Sequence, residues 1–342
     1  MNNMKLSICV VALNEESFLP NLLQNIRDQQ YTHSLTEVVL VDSGSEDRTK
    51  SIMQSFKNES NGFYSVQVLD NPKRNQAAGW NVAISNATGD VISRIDAHTM
   101  LPKEFSSKVM AEIQEGEYVV GGIRPCIIEN DTLWGKTLLA TENSVFGSSV
   151  NSSRHSKEKQ YVKTMFHASY RKEIFQNVGL FNEKLLRTED NEMHYRIRKA
   201  GYKLCYNPNI ISYQYARSNL KRMLKQKYGN GYWIGLTLGV CPGCVSLYHL
   251  VPAAFVAGII LSTVMAILGY SFFAVFLWLC YGLFCVINTA IDISKEAILP
   301  QKLLMPVLFL ALHIAYGIGT IVGLLEMPIR RRSLKRKDIS ES

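Results

Sequence analysis

The chain has 342 residues, with 37 Lys and Arg against 29 Asp and Glu and a formal net charge of +8. That length admits one large domain and a second module, and an odd count of seven cysteines argues against a disulfide framework and suits a reducing compartment. A basic balance points to nucleic acid, a membrane surface or anionic substrates; six basic residues crowd between Arg330 and Lys337 directly after an apolar run, which excludes nucleic acid as the simplest partner in favour of anionic lipid.

The opening apolar run, Leu6–Leu13, is too short for a signal peptide and is followed by Asn14-Glu15-Glu16, so the N-terminal region is expected to stay in the cytoplasm. β-rich runs at Leu6–Leu13, Glu37–Val41, Ser65–Leu69 and Val91–Ile95 alternate with amphipathic stretches at Phe18–Gln29, Asp47–Phe56 and Gln76–Asn86. This alternation predicts right-handed crossovers and a mostly parallel, Rossmann-like α/β sheet. Ligands of such sheets bind at the carboxyl ends of the strands, so Asn14 and Glu15, Asp42 to Ser45, and Asp96 to His98 become the residues of interest. Lys103–Gln114 reads as a helix and Tyr118–Gly122 as a strand. The stretch from Cys126 to Lys163, rich in Ser, Asn and Gly, reads as loops. Asp190–Ala200 is again helical, and Leu204–Ser212 returns as a strand.

Toward the C-terminus, Ser218–Tyr232 mixes Lys221, Arg222, Lys225 and Lys227 with apolar residues, a pattern expected of a helix in the membrane interface, within residues 218–240. Three runs without Lys, Arg, Asp or Glu follow at about 245–267, 272–291 and 303–325, each near the ~20 residues needed to span hydrocarbon. Gly317, Gly319 and Gly323 form a small-residue stripe suited to close helix packing. The expected division is therefore 1–232 as the catalytic domain, 241–327 as membrane helices and 328–342 as a basic tail. Cys241-Pro-Gly-Cys244 has redox-pair spacing but no strand-then-helix setting, and reads as a turn entering the membrane. Three crossings would place the basic tail opposite the N-terminal domain, against the positive-inside tendency, unless one segment is re-entrant or 235–268 hides a further crossing.

The chemistry-bearing residues are few. Asp96-Ala97-His98 ends a β-run and offers an oxygen and a nitrogen ligand two residues apart, suited to Mn²⁺ or Mg²⁺ with the His favouring Mn²⁺. Thr188-Glu189-Asp190 opens a helix, where the dipole favours carboxylates; one acid suffices for capping, and the second is available as a base. In order along the chain stand Val10-Val11-Ala12-Leu13-Asn14-Glu15, Val41-Asp42-Ser43-Gly44-Ser45-Glu46-Asp47-Arg48-Thr49, Gly79-Trp80-Asn81-Val82-Ala83-Ile84 with Gly89-Asp90, Asp96-Ala97-His98 and Thr188-Glu189-Asp190. This ordered set resembles the family 2 glycosyltransferases, inverting enzymes of GT-A fold. With Val178-Gly179-Leu180-Phe181-Asn182-Glu183 and Gln226-Lys227-Tyr228-Gly229-Asn230-Gly231, it is similar to the subgroup of succinoglycan-type exopolysaccharide assembly.

The resemblance implies that Asn14, Glu15 and Asp42 line the base and ribose pocket, that Arg74 faces the diphosphate, and that Asn81 and Asp96 belong to the donor site. It further implies a divalent metal at Asp96 and His98, Asp190 as general base and Glu189 organising hydroxyls. The implied donor is a nucleotide sugar, a UDP-sugar foremost, and the implied acceptor a lipid-linked saccharide at the inner membrane. Two departures stand out: His98 replaces a frequent second Asp, and Trp80 replaces the usual Arg before Asn81, removing a candidate phosphate contact. Gln226 and Trp233 lack the spacing of the processive signature, so addition of a single sugar is expected. Two rivals remain at this point: transfer onto polyprenyl monophosphate, and a non-catalytic nucleotide-sugar-binding subunit.

Overall fold

The structure is a computed structural model that describes residues 4–59, 62–129, 132–147, 156–216, 219–295 and 300–340. In chain order its main elements begin with β1 (Leu6–Ala12), α1 (Leu19–Arg27), β2 (Thr36–Asp42), α2 (Thr49–Asn58), β3 (Ser65–Asp70) and α3 (Gln76–Asn86). Next come β4 (Val91–Asp96), β5 (Thr99–Met100), α4 (Phe105–Gln114), β6 (Val119–Ile123), β7 (Cys126–Ile127) and α5 (Leu133–Asn143). Then follow β8 (Gln160–Val162), β9 (Ser169–Arg171), α6 (Glu173–Val178), α7 (Glu189–Lys199), β10 (Leu204–Ile211) and β11 (Tyr213–Tyr215). The chain closes with α8 (Leu220–Val240), α9 (Val251–Ile267), α10 (Phe272–Lys295) and α11 (Met305–Ser340). They form two compact units, residues 1–125 with 152–215, and residues 126–151 with 216–342.

The first unit is built on an eight-stranded sheet in the order β3-β2-β1-β4-β9-β6-β10-β8. β1 and β2, LSICVVA and TEVVLVD, are almost continuously apolar because helices cover both faces of a parallel sheet. β1 pairs in parallel with β2 on one flank and β4 on the other, so the chain winds outward to β3 and then returns across β1. That reversal opens a crevice at the carboxyl ends of β1 and β4, where Val11 lies opposite Asp96. The expectation of a mostly parallel α/β sheet is met. Two antiparallel strands depart from it: β9, between β4 and β6, and β8 at the edge. Each has three residues, too short to carry a readable alternation.

At the opposite end of the strands, Glu37 is 1% exposed and is held by four partners. It accepts from Ser7 Oγ (2.6 Å), Ser65 Oγ (2.9 Å), Gln67 Nε2 (2.9 Å) and the Thr88 amide (2.7 Å). Burial opposes its charge, yet these donors hold its carboxyl below the usual range. They tie β1, β2, β3 and the approach to β4 together.

The second unit is helical. α8 and α11 run in the same direction in very close contact: a Cβ on Gly231 would fall 2.0 Å from the Tyr316 carbonyl oxygen, and one on Gly323 2.1 Å from that of Tyr232. Of the expected glycine stripe, Gly319 and Gly323 meet α8, while Gly317 admits Pro252 of α9. Lys227 departs from expectation. It is buried, donating to Glu142 Oε1 of α5 (3.0 Å) and the Gly147 carbonyl (3.3 Å), instead of reaching outward like the exposed Lys221, Arg222 and Lys225. α5 is itself a correction, a helix inside the stretch read as loops; residues 130–131 and 148–155 of that stretch lie outside the described residues, as do 217–218 and 341–342. Three helical stretches, Leu247–Ile267, Phe272–Asp292 and Lys302–Arg330, are long and apolar enough to cross a membrane, with mean hydropathy of 2.3, 2.0 and 2.1.

The α8–α11 seam makes a direct prediction. Gly231→Val forces helix backbones apart and is expected to cost about 1–3 kcal/mol, read as a lower thermal midpoint in detergent. Gly282→Val, where a Cβ meets nothing within 4 Å, is the control and is expected to change the midpoint little.

Candidate active site

The site lies at the carboxyl ends of β1, β2 and β4 within the α/β unit. After β1 the chain turns through Asn14, which adopts a left-handed φ of 55° that a short polar side chain tolerates. The turn is clasped to the loop after β2. The Asn14 amide donates to Ser45 Oγ (3.0 Å), its Oδ1 accepts from the Glu46 amide (2.8 Å), and the Glu15 amide donates to Thr49 Oγ1 (2.8 Å). Asp42, buried at the end of β2, accepts from the amides of Gly44 and Ser45, both at 3.2 Å, and shapes that loop. Arg74, also at positive φ, sits against Gly44 with its guanidinium 3.2 Å from Glu46 and half its side chain exposed.

Asn81 on α3 uses both ends of its amide on the turn before α7. It donates to the Phe181 carbonyl (2.9 Å) and Glu183 Oε1 (3.1 Å), and accepts from the Phe181 amide (2.8 Å). Trp80 beside it is fully buried, so this position points into the core.

β4 delivers Arg94 and Asp96 to the same face, two residues apart. Asp96 Oδ2 accepts from His167 Nε2 (3.2 Å), while Oδ1 has only a long contact to Gln76 Nε2 (3.4 Å). Burial works against the Asp96 charge, but the hydrogen bond from His167 and the nearby Arg94 guanidinium hold the carboxyl well below its ordinary range. His98 lies between Glu15 Oε1, 3.2 Å from Nδ1, and Gln214 Nε2, 2.9 Å from its Nε2. Both contacts are satisfied by one tautomer, with Nδ1–H donating to Glu15 and Nε2 accepting from the Gln214 amide. Nε2 would ligate a metal in place of its hydrogen bond from Gln214, while Nδ1–H stays oriented by the Glu15 carboxylate, the arrangement usual for metal-binding histidines. Asp96 and His98 therefore fit a divalent cation. Among the described residues no group of three or more His, Cys, Asp or Glu is suited to one, so the remaining ligands would come from phosphate oxygens or water.

At the start of α7, Glu189 is buried and Asp190 half-buried. Asp190 Oδ1 accepts from the Asn191 amide (2.8 Å), and Glu189 Oε1 lies 3.8 Å from Arg94 Nη2. Burial pushes both carboxyls up, Glu189 further through the charge of Asp190; Arg94 opposes the rise, and the charge of Asp96 is felt at both. The structure thus gathers Asp96, Glu189 and Asp190 around one guanidinium. Sequence reasoning missed three members of this site. His167 stands in a stretch with no periodicity. Gln214 comes from a three-residue strand. Arg94 looks like an ordinary strand residue until the fold buries it.

The raised Glu189 gives a sign-definite prediction. A folded-state pKa above the unfolded value costs nothing below the ordinary carboxylate range, and the cost grows as pH rises through it and beyond. Glu189→Gln is therefore expected to gain stability relative to the native protein between pH 5 and pH 8. Parallel unfolding curves across that window check it, and a difference that stays flat or reverses rejects it.

Comparison with known proteins agrees with the fold. A curated relative from Methanococcus voltae, dolichyl N-acetyl-alpha-D-glucosaminyl phosphate 3-beta-D-2,3-diacetamido-2,3-dideoxy-beta-D-glucuronosyltransferase, is 26% identical over 94% of this chain and 97% of its own length. The succinoglycan biosynthesis protein ExoA of Rhizobium meliloti is 29% identical over 230 residues, 66% of this chain and 67% of that protein. Among solved structures, the mannosyltransferase PcManGT from Pyrobaculum calidifontis, in complex with GDP-Man and Mn²⁺, shares the fold with a TM-score of 0.60 at 15% identity, over 93% of this chain and 87% of that one. Residues 7–179, just over half of the chain, match the family described as glycosyl transferase family 2, and the protein belongs to that family of glycosyltransferases.

Proposed function

We propose that this protein transfers one sugar from a nucleoside-diphosphate sugar, a UDP-sugar foremost, to a hydroxyl of a lipid-linked saccharide, with inversion, as a step in cell-surface or exopolysaccharide assembly. The observation that carries the reading is the gathering of Asp96, Glu189 and Asp190 around Arg94 at the reversal point of the sheet. The donor's base and ribose are assigned to the loops of Asn14, Glu15 and Asp42, with Arg74 at their edge. Asp190 takes the proton from the acceptor hydroxyl as its oxygen attacks the anomeric carbon from the face opposite the leaving group. Glu189 orders neighbouring hydroxyls. Asp96 and His98 would hold a divalent cation, which would supply positive charge to the leaving nucleoside diphosphate, and the imidazole would favour Mn²⁺ over Mg²⁺.

Burial that raises the proton affinity of Asp190 serves a neutral hydroxyl acceptor. A polyprenyl monophosphate is already anionic and needs no such base, so this observation favours the saccharide acceptor over that rival. The three apolar helical stretches and the dolichyl-linked acceptor named for the Methanococcus voltae relative support a membrane-borne acceptor. The α/β unit is accordingly assigned to the cytoplasmic side of the inner membrane.

Asp190→Asn is expected to lower transfer to a saccharide hydroxyl by about 10²–10⁴-fold while nucleotide-sugar binding, followed by calorimetry, stays within a few-fold of the native protein. Undiminished turnover with a monophosphate lipid acceptor would instead establish the rival. Chelation is expected to abolish transfer, with Mn²⁺ restoring it better than Mg²⁺. Activity that survives extensive chelation removes the metal from the scheme.

A further inference from the structure

Arg94 is the most enclosed cation of the α/β unit outside any surface network. It is 6% exposed, on a strand buried on both faces, with its guanidinium carbon 5.0 Å from the Trp80 ring and 5.2 Å from that of Phe181. Two of its nitrogens, Nε and Nη1, have no hydrogen-bond partner, and neither does Glu189 Oε2 across from it. A buried guanidinium without full pairing costs several kcal/mol unless nearby charge offsets it. The groups that face it are Asp96 from its own strand, Tyr170 from β9, and Glu189 and Asp190 from α7. His194 of α7, hydrogen-bonded to Tyr170, is kept neutral by burial, and Arg124 after β6 adds a second, weaker positive charge at Asp190. The two aromatic rings flank a buried cation that lies close to the acids the proposed reaction uses.

We propose that Arg94 is a positioning residue: lying beside Trp80 and Phe181, it supplies the counter-charge that offsets the buried negative charge of Glu189 and Asp190 and holds the pair in place at the start of α7. This rests on the reading of Asp190 as the base. It also accounts for Trp80: where the family resemblance leads one to expect a cation on α3, the ring instead braces a cation delivered by β4.

The test uses the full chain in membranes or detergent, with Arg94→Met, Arg94→Lys and Asp190→Asn assayed side by side for kcat, donor KM and pH profile. Loss of the cation makes the carboxylates easier to protonate. Arg94→Met is therefore expected to move the acidic limb of kcat/KM upward by about one pH unit, a tenfold loss on that limb, with donor KM within threefold. Arg94→Lys is expected to lower kcat while leaving the limb in place. A folded Arg94→Met protein whose limb does not move overturns the inference. If Arg94→Met does not fold, Arg94→Lys decides alone: a donor KM that rises in step with the fall in kcat, or a displaced limb, overturns it. Retained turnover in Asp190→Asn removes the base reading whatever Arg94 does, whereas an inactive Asp190→Asn beside an unaltered Arg94→Met removes only this inference.

Discussion

The double parallel pairing of β1, with β2 on one flank and β4 on the other, is the constraint from which the site follows. A strand paired on both sides cannot be covered by a connection of its own at its carboxyl end. The chain must leave on one side and come back on the other. The loop after β1 and the end of β4 are therefore brought side by side, and Glu15 meets His98 across 83 residues of sequence. The Glu37 network at the far end of the same strands fixes their register, and with it the depth at which Asp96 emerges.

On this frame the site concentrates negative charge in a region with little water. Such a cluster is costly, and its members respond differently according to their partners. Asp96, hydrogen-bonded to His167 and close to the Arg94 guanidinium, is stabilised as an anion. Glu189 and Asp190 are pushed toward protonation by burial, Glu189 further by the charge of Asp190, and Arg94 opposes the rise. One acid stabilised as an anion and a pair with enhanced proton affinity match the roles assigned to them in the proposed displacement by a hydroxyl.

The helical unit solves a different problem. Lipid offers helices no hydrophobic reason to associate, so close backbone approach and buried polar pairs take over. Gly231, Gly235, Gly319 and Gly323 provide the approach, and the Lys227–Glu142 pair with the Tyr232–Glu326 hydrogen bond provides the polar contacts. α9 and α10 keep large exposed apolar side chains such as Ile267, Phe272 and Leu279, as expected of surfaces that face hydrocarbon.

Periodicity and residue type alone determined the alternation of strands and helices over the first hundred residues, because each element there is long enough to show its own pattern. They also marked Asp96, Glu189 and Asp190 as candidates, because a strand end and a helix start are local features, and the apolar C-terminal helices, because spanning length is a matter of composition. What only the tertiary structure decided depends on partners distant in the chain. β9 exists because β4 and β6 offer it two edges. Lys227 turned from an expected surface group into a buried one because Glu142 lies beside it. Trp80 faces the core, Asn81 is held by Phe181 and Glu183, and His167, Gln214 and Arg94 join the candidate site, because burial and pairing are properties of a folded neighbourhood that no single stretch of sequence contains.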